Sequence, residues 1–343
     1  PSLKEIKGRI NSISSTLAIT SAMKMVASAK LQKAQMAIQN MLPYERRLHS
    51  MLIDLMGAVN MSAPASEEGS ARLVSLSNQP DHTESEGAYS LMAQRQVHRV
   101  AIVAFASNSS LCGAFNSNVI REATAVINEY RASGLGDADI TVYSVGRKMA
   151  EAMKKLGFPS PADFTKMSDS PSYDAASALA QELFDGFVSG RFDKVELVYN
   201  HYKSTSSQPT TRQTYLPLSL ADATADIQVG KITDSASETD TNKVAEPVGA
   251  PVVRQGSPTT EDLIVEPSKE ALIATLLPKV IRLRIFTTLL DSAAAEHAAR
   301  TVAMQLATDN GNDLLQELTL EYNKGRQQKI TSEILDLVGG SLQ

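Results

Sequence analysis

The chain has 343 residues, 43% hydrophobic and 21% charged, with a formal net charge of −5. That is ordinary globular composition, enough for one large domain or two to three modules. No run of about 18 apolar residues occurs, which excludes a membrane-spanning helix of the usual kind. A single cysteine, Cys112, excludes an internal disulfide, a dithiol switch or a cysteine cage for a metal. The five histidines (His49, His82, His98, His201, His297) have no ligand spacing, so no metal or cofactor is expected. Charge is unevenly placed. Residues 1–47 hold eight basic side chains (Lys4, Lys7, Arg9, Lys24, Lys30, Lys33, Arg46, Arg47) against Glu5 and Glu45. Such an arm is either a solvated helix face or a surface for nucleic acid or an acidic protein. The opening Pro1-Ser2-Leu3-Lys4-Glu5 reads as neither a signal nor a transit peptide.

The first element is a long helix. Stepping by three and four from Leu3 gives Ile6, Ile10, Ile13, Leu17, Thr20, Lys24, Ala27, Leu31, Ala34, Ile38, Met41, Glu45, Leu48, Leu52 and Leu55. Only Thr20, Lys24 and Glu45 interrupt the apolar row, so this is a heptad seam that needs a partner helix. It predicts a helix over residues 1–58, roughly 80 Å long, with Pro43 as a bend or a lost hydrogen bond. Residues 59–96 are rich in Ser, Glu, Ala and Pro and read as an insertion.

Residues 97–222 read as a small α/β domain. Val100–Phe105 is a continuous apolar run of buried-strand type. A polar turn follows, then a helix from about Asn116 to Ala132, a strand at Ile140–Val145, and helices at Arg147–Leu156 and Ser172–Ser189. Lys194–Tyr202 is a third strand. Thr210–Leu216 is a fourth, placed at an edge by Pro209 and Pro217. The alternation predicts a mainly parallel sheet with helices on its faces, a Rossmann-like arrangement.

Residues 223–262 read as a second insertion, with Pro247, Pro251 and Pro258. Residues 263–343 hold the second long helix, from about Lys269 to Val338. Its apolar stripe is Ile281, Ile285, Thr288, Ser292, Ala295, Ala299, Val302 and Leu306. It then shifts to Leu320, Asn323, Gln327, Ile330, Ile334 and Leu337. Ala293, Ala294, Ala295, Ala298, Ala299 and Ala303 allow two backbones to approach closely, and close approach is expected near Ala18 and Ala303. Gly311 and Gly325 mark tight contacts or bends, and Gly339-Gly340 a stop. Two terminal stripes of this kind predict an antiparallel two-helix coil built from the chain's own ends.

Neither a Gly-x-x-x-x-Gly-Lys-Ser/Thr loop nor a Gly-x-Gly-x-x-Gly turn is present, so the chain should not hydrolyse nucleotide by itself. Cys112, in the turn Ser109–Asn116, is either a nucleophile at a helix start or a small buried side chain in a tight turn. The polar run Glu321–Ile334 inside the seam either sets register or offers a grip to another protein. On composition and pattern alone, a self-associating coiled-coil scaffold with an α/β sensor domain remains an alternative.

Several segments resemble the gamma subunit of F-type ATP synthase, in the same order. These are Met23-Lys24-Met25-Val26-Ala27 in the first helix, and Leu111-Cys112-Gly113 after the buried strand. Val302-Ala303-Met304 follows, with Ala307-Thr308-Asp309-Asn310-Gly311, and then Tyr322-Asn323-Lys324 through Glu333. The resemblance implies a rotor shaft without bond chemistry of its own. It implies a coil inside a hexamer of alternating alpha and beta subunits, and an α/β domain seated with the epsilon subunit on the membrane c-ring. No nucleic acid partner is implied. The place implied is the cytoplasmic face of a bacterial inner membrane, or the matrix face of the mitochondrial one. Arg326 and Gln327 match the pair that bonds a loop of the beta subunit, and Thr331 and Glu333 match nearby coupling positions. Met23, with Lys24 beside it, matches the position opposite them on the first helix. Glu266 matches an acidic residue near the ring contact. Where the family carries Asp-Arg-Gly, this chain has Asn108-Ser109-Ser110, so an Arg at 109 that would meet an acidic tip is absent.

Overall fold

The computed structural model describes residues 2–61, 95–218 and 269–340. The expected insertions 59–96 and 223–262 fall almost wholly outside the described residues, and Glu266 lies outside them too. Helix α1 spans Leu3–Met61, 59 residues, and runs through Pro43 without a break in its assignment. At the other end, α6 spans Lys269–Gly340, 72 residues, and passes through Pro278 and Gly339. The described helix ends at Gly340, at the expected Gly339-Gly340 stop, and residues 341–343 lie outside the described residues.

The helices pair antiparallel. Leu3 lies against Gly325, Leu17 against Gly311, and the Glu45 carboxylate accepts from Thr287. Every seam position of α1 from Leu3 to Leu55 is buried or half-buried, including Thr20, Lys24 and Glu45. Small side chains on α6 permit the approach, since Ala294, Ala295 and Ala298 are completely buried.

The upper stripe of α6 differs from the expected one. Leu306 and Leu320 are exposed, 57% and 66%, as are Ile330, Ile334 and Leu337. The face turned to α1 is Met304, Thr308, Gly311, Leu315, Leu318, Tyr322 and Gly325. Spacing between helix axes decides this. A Cβ on Gly311 would stand 2.6 Å from Leu17 Cδ2, so the backbone is close enough there for only a hydrogen. Pairing near Ala18 and Ala303 is also displaced. Thr20 faces Thr308, with the two hydroxyls 3.2 Å apart, and Ala18 is exposed.

Between the helices in sequence lies a four-stranded sheet in the order β2-β1-β3-β4. The strands are β1 (Val100–Phe105), β2 (Ile140–Val145), β3 (Lys194–Asn200) and β4 (Thr210–Leu216). β1 pairs parallel with β2 (Ile102 beside Val142) and with β3 (Ile102 beside Glu196). β4 pairs antiparallel at the edge, Leu197 beside Gln213. Helices α2 (Phe115–Ala132) and α3 (Arg147–Lys155) cover one face. There Val100, Ile102, Ala104 and Val142 pack on Val119, Ala123, Met149 and Met153. The short α4 (Thr165–Asp169), which the sequence pattern does not predict, leads to α5 (Tyr173–Val188). The other face packs on α5 and the lower coil. Ala101, Val103, Phe105, Leu197 and Tyr199 meet Leu183, Phe187, Leu48, Leu52, Leu277 and Ile281 in one cluster. Strand alternation produces this two-sided burial.

The turns at the strand ends are tightly specified. Gly146 has φ +97°, and a Cβ there would stand 2.0 Å from the Ala106 carbonyl oxygen, so only glycine fits. Asn108 caps the same region. Its side-chain oxygen accepts from the Arg147 amide at 2.7 Å and its amide donates to the Thr165 carbonyl at 2.7 Å.

Candidate functional site

Two regions combine unusual exposure or polarity with a position on the coil. One is the upper end of α6. Opposite Gly325, α1 has reached Leu3, so among the described residues α6 continues unaccompanied to Gly340 for about 22 Å at 1.5 Å per residue. Arg326, Gln327, Thr331 and Glu333 lie on this overhang, and all four are exposed. Among the described residues neither the Arg326 guanidinium nor the Gln327 side-chain amide has a partner. Thr331 donates to the Gln327 carbonyl at 2.9 Å, and Glu333 pairs loosely with Lys329 at 3.7 Å across two solvated side chains. An exposed pair of that kind contributes little to stability. The overhang thus presents a forked donor and an amide, without internal commitments, among exposed Ile330, Ile334, Leu335 and Leu337.

Met23 and Lys24 are not beside this quartet. Thr20 faces Thr308, which puts Met23 near the level of residue 305, roughly 31 Å along the helix from Arg326. Met23 is 39% exposed and Lys24 half-buried. The expectation that Met23 stands opposite Arg326 is therefore corrected. Antiparallel register brings residue 2 to that level.

The second region is where the domain touches the coil. The turn after β1 reaches α6, and the segment after β3 reaches both helices. Leu111 takes φ +68°, a left-handed conformation unusual for a leucine, and its side chain is exposed. Cys112 is 2% exposed and packs with Phe115 on Ala295, which favours the structural reading over a nucleophile. Ser109 accepts from Arg300 at 2.7 Å, and Arg300 also donates to Glu296 at 2.7 Å. Burial pushes the Glu296 carboxyl up, against the pull of Arg300. After β3, His201 Nδ1 lies 2.6 Å from one Asp291 oxygen, and the Tyr202 amide donates to the other at 2.9 Å. The Tyr202 hydroxyl accepts from Gln35 of α1 at 2.6 Å. The hydrogen bond to Asp291 raises the His201 pKa, against partial burial and Lys203. Sequence reasoning missed this cluster. Its one local signal is a carboxylate, Asp291, at the start of an alanine-rich stretch that wants apolar neighbours.

Neither region holds a catalytic constellation, and no group of His, Cys, Asp or Glu able to hold a metal occurs among the described residues. No described helix is long and apolar enough to cross a membrane.

The family model described as ATP synthase matches residues 2–342. The ATP synthase gamma chain of Phocaeicola vulgatus is 49% identical over 341 residues, covering 99% of each chain. That of Bacteroides thetaiotaomicron is 47% identical over 342 residues, covering 100% of this chain and 99% of its own. The chain belongs to the ATP synthase gamma-chain family. The gamma-chain fold is also that of the rotor of Euglena gracilis mitochondrial ATP synthase. That structure covers 96% of this chain and 98% of its own, with a TM-score of 0.52 at 18% identity. Membership accounts for a mixed sheet clasped by the two ends of one chain. It makes this gamma-chain member a component of a membrane-associated complex.

Proposed function

We propose that this chain is the central-stalk rotor subunit of an F-type ATP synthase, and that it is non-catalytic. Its coil turns inside a hexamer of alternating alpha and beta subunits. Its α/β domain, with the epsilon subunit, rides on the membrane c-ring, so that ion flow is coupled to ATP synthesis or hydrolysis by rotation. The absence of a phosphate-binding loop from the sequence supports a role without nucleotide chemistry. The close relatives quoted are bacterial proteins, which supports a peripheral place on the cytoplasmic face of the bacterial inner membrane.

The observation that carries the reading is the overhang of α6. An exposed single helix with apolar rows needs a surrounding partner. Arg326 and Gln327 on it are donors with no acceptor among the described residues. Arg326 makes forked, charge-assisted bonds to a carboxylate of the beta subunit, and Gln327 adds an amide. Thr331, Glu333, Met23 and Lys24 line the path of the same contacts at two levels, and Glu266 serves near the ring contact, as its match to the family's acidic residue implies. Such bonds serve a contact made and released at each catalytic step. A permanently buried charge would be costly.

The test is ATP hydrolysis and ion pumping by reconstituted complexes. Arg326→Ala should leave the coil folded and lower turnover or assembly. Arg326→Lys should recover part of the loss, since an ammonium lacks the fork. Wild-type rates in Arg326→Ala combined with Gln327→Ala would show that shape alone drives the shaft. Co-purification of a tagged chain should bring down two larger nucleotide-binding chains; self-association alone would instead favour a scaffold.

A further inference from the structure

We infer that Asp291, His201, Tyr202 and Gln35 form a collar that locks the angular position of the α/β domain on the coil. In the rotor reading, on which this inference rests, they are positioning residues for torque transfer. The argument begins with the kind of contact on either side. Below this level the domain grips the helices mainly through an apolar cluster that includes Leu48, Leu52, Leu277 and Ile281, with two hydrogen bonds to α6, from the Tyr215 hydroxyl to the Ile281 carbonyl at 3.0 Å and from Arg282 to the Gln181 side-chain oxygen at 2.7 Å. Apolar contact is non-directional, so it holds two bodies together without choosing among small rotations. Hydrogen bonds weaken steeply with misalignment, so they do choose.

At the collar the directional contacts reach both helices from one segment. Asp291 spends both carboxylate oxygens on one two-residue segment, His201 Nδ1–H and the Tyr202 amide. Tyr202 inserts its ring among the small side chains of α6 and packs with Leu31, Ala294 and Ala298 on one side and Cys112, Phe115 and Ala295 on the other. Its hydroxyl then takes a bond from α1 through Gln35. A single segment after β3 is thereby bonded to both helices, and α1 is reached through the side chain of Tyr202, whose own amide Asp291 holds. β3 ends at Asn200, and the two apolar clusters of the sheet do not include the side chains of His201 and Tyr202, although the His201 amide still donates to the Pro209 carbonyl at 2.9 Å. The charged and titratable groups facing His201 are Asp291 of α6 and Lys203 of its own segment.

The test uses the intact complex. Asp291→Ala removes both bonds, Asp291→Asn keeps the shape without the charge, and Tyr202→Phe keeps the ring while freeing α1. Amide exchange at Tyr202 should quicken about tenfold or more in Asp291→Ala, as for loss of a bond to a charged acceptor. Asn should restore part of that protection. In single-molecule recordings with the hexamer immobilised and a probe on the α/β domain, angular fluctuations during dwells should broaden in Asp291→Ala and Tyr202→Phe. Unloaded ATP turnover should stay at the wild-type value. Wild-type fluctuation widths in both variants would overturn the collar, and so would unchanged exchange at Tyr202. Failure of the wild-type complex to rotate would instead overturn the rotor reading, so the two failures are distinguishable. If Asp291→Ala does not assemble, Tyr202→Phe, which deletes one oxygen, decides the question by its fluctuation width.

Discussion

Consider adding one methyl group to each of the two glycines that α6 turns toward α1. In a helix interior Gly→Ala gains about 1 kcal/mol of propensity, so both changes would stabilise an isolated helix. The packing separates them. At Gly311 the new Cβ would lie 2.6 Å from Leu17 Cδ2 and 3.2 Å from Leu17 Cγ. Leu17 would have to leave its position or push the helices apart, and overpacking of that kind costs about 1–3 kcal/mol. Gly311→Ala should therefore be neutral to about 2 kcal/mol destabilising. At Gly325 the nearest atom is Leu3 Cδ2 at 3.1 Å, the end of a flexible side chain in the first turn of α1. A shift of a few tenths of an ångström there is cheap, so Gly325→Ala should stabilise by about 0.5–1 kcal/mol. Denaturant unfolding followed by far-UV circular dichroism measures the difference. A Leu17→Ala change in the Gly311→Ala background should recover the propensity gain, which a double-mutant cycle reports as coupling. Equal stabilisation by both single alanines would refute the claim that the seam is selected by backbone closeness.

Thr20→Cys with Thr308→Cys, on a Cys112→Ser background, should form an intramolecular disulfide on mild oxidation, because the two hydroxyls are 3.2 Å apart. A pair at Ala18 and Ala303 should not, and the reverse result would refute the register. Glu196 is 2% exposed and is bonded by Arg212, Lys194 and Tyr130. Glu196→Ala should cost about 3 kcal/mol in denaturant unfolding, the low end for a broken buried pair because both cations keep some access to water. Wild-type stability would mean that the cations re-solvate freely. Burial, helped by Arg300 and Lys30, pushes the His297 pKa down to about 4. The unfolded chain takes up that proton first, near its ordinary value of about 6.5, so the His297 contribution to stability, read as the difference from a His297→Gln variant, should fall as pH drops from there toward 4 and be constant above 7. An NMR titration of His297 near the ordinary histidine value would overturn this.

Much of the fold is legible because single patterns force it. The row from Leu3 to Leu55 has no use except against another helix, and each of its members is covered in the structure. Val100–Phe105 and Thr210–Leu216 carry their own signals, a fully apolar run and flanking prolines. The upper seam of α6 is harder to read. It passes through Thr308, Gly311 and Gly325, and a search for large apolar side chains steps past glycines toward Leu306 and Leu320. The collar is harder still. Asp291 lies 90 residues from His201, and Gln35 lies 167 from Tyr202, while each has an unremarkable local reading. Only the folded chain brings them together. The overhanging quartet is legible through family resemblance. Its distance from Met23 is not, because that depends on the register in which the two helices pair.

The unaccompanied end of α6 also bears on how such a protein is made. Ile330, Ile334, Leu335 and Leu337 stand in water in the single chain. Exposed apolar rows invite association with other copies or with any chain still folding. A cell that synthesises this chain ahead of its housing therefore exposes an aggregation hazard. Matched production of the subunits, or a cap on that terminus until the hexamer closes, removes it. The same rows, once enclosed, have no preferred angle and can behave as a greased bearing surface, leaving angular preference to the few polar teeth set among them.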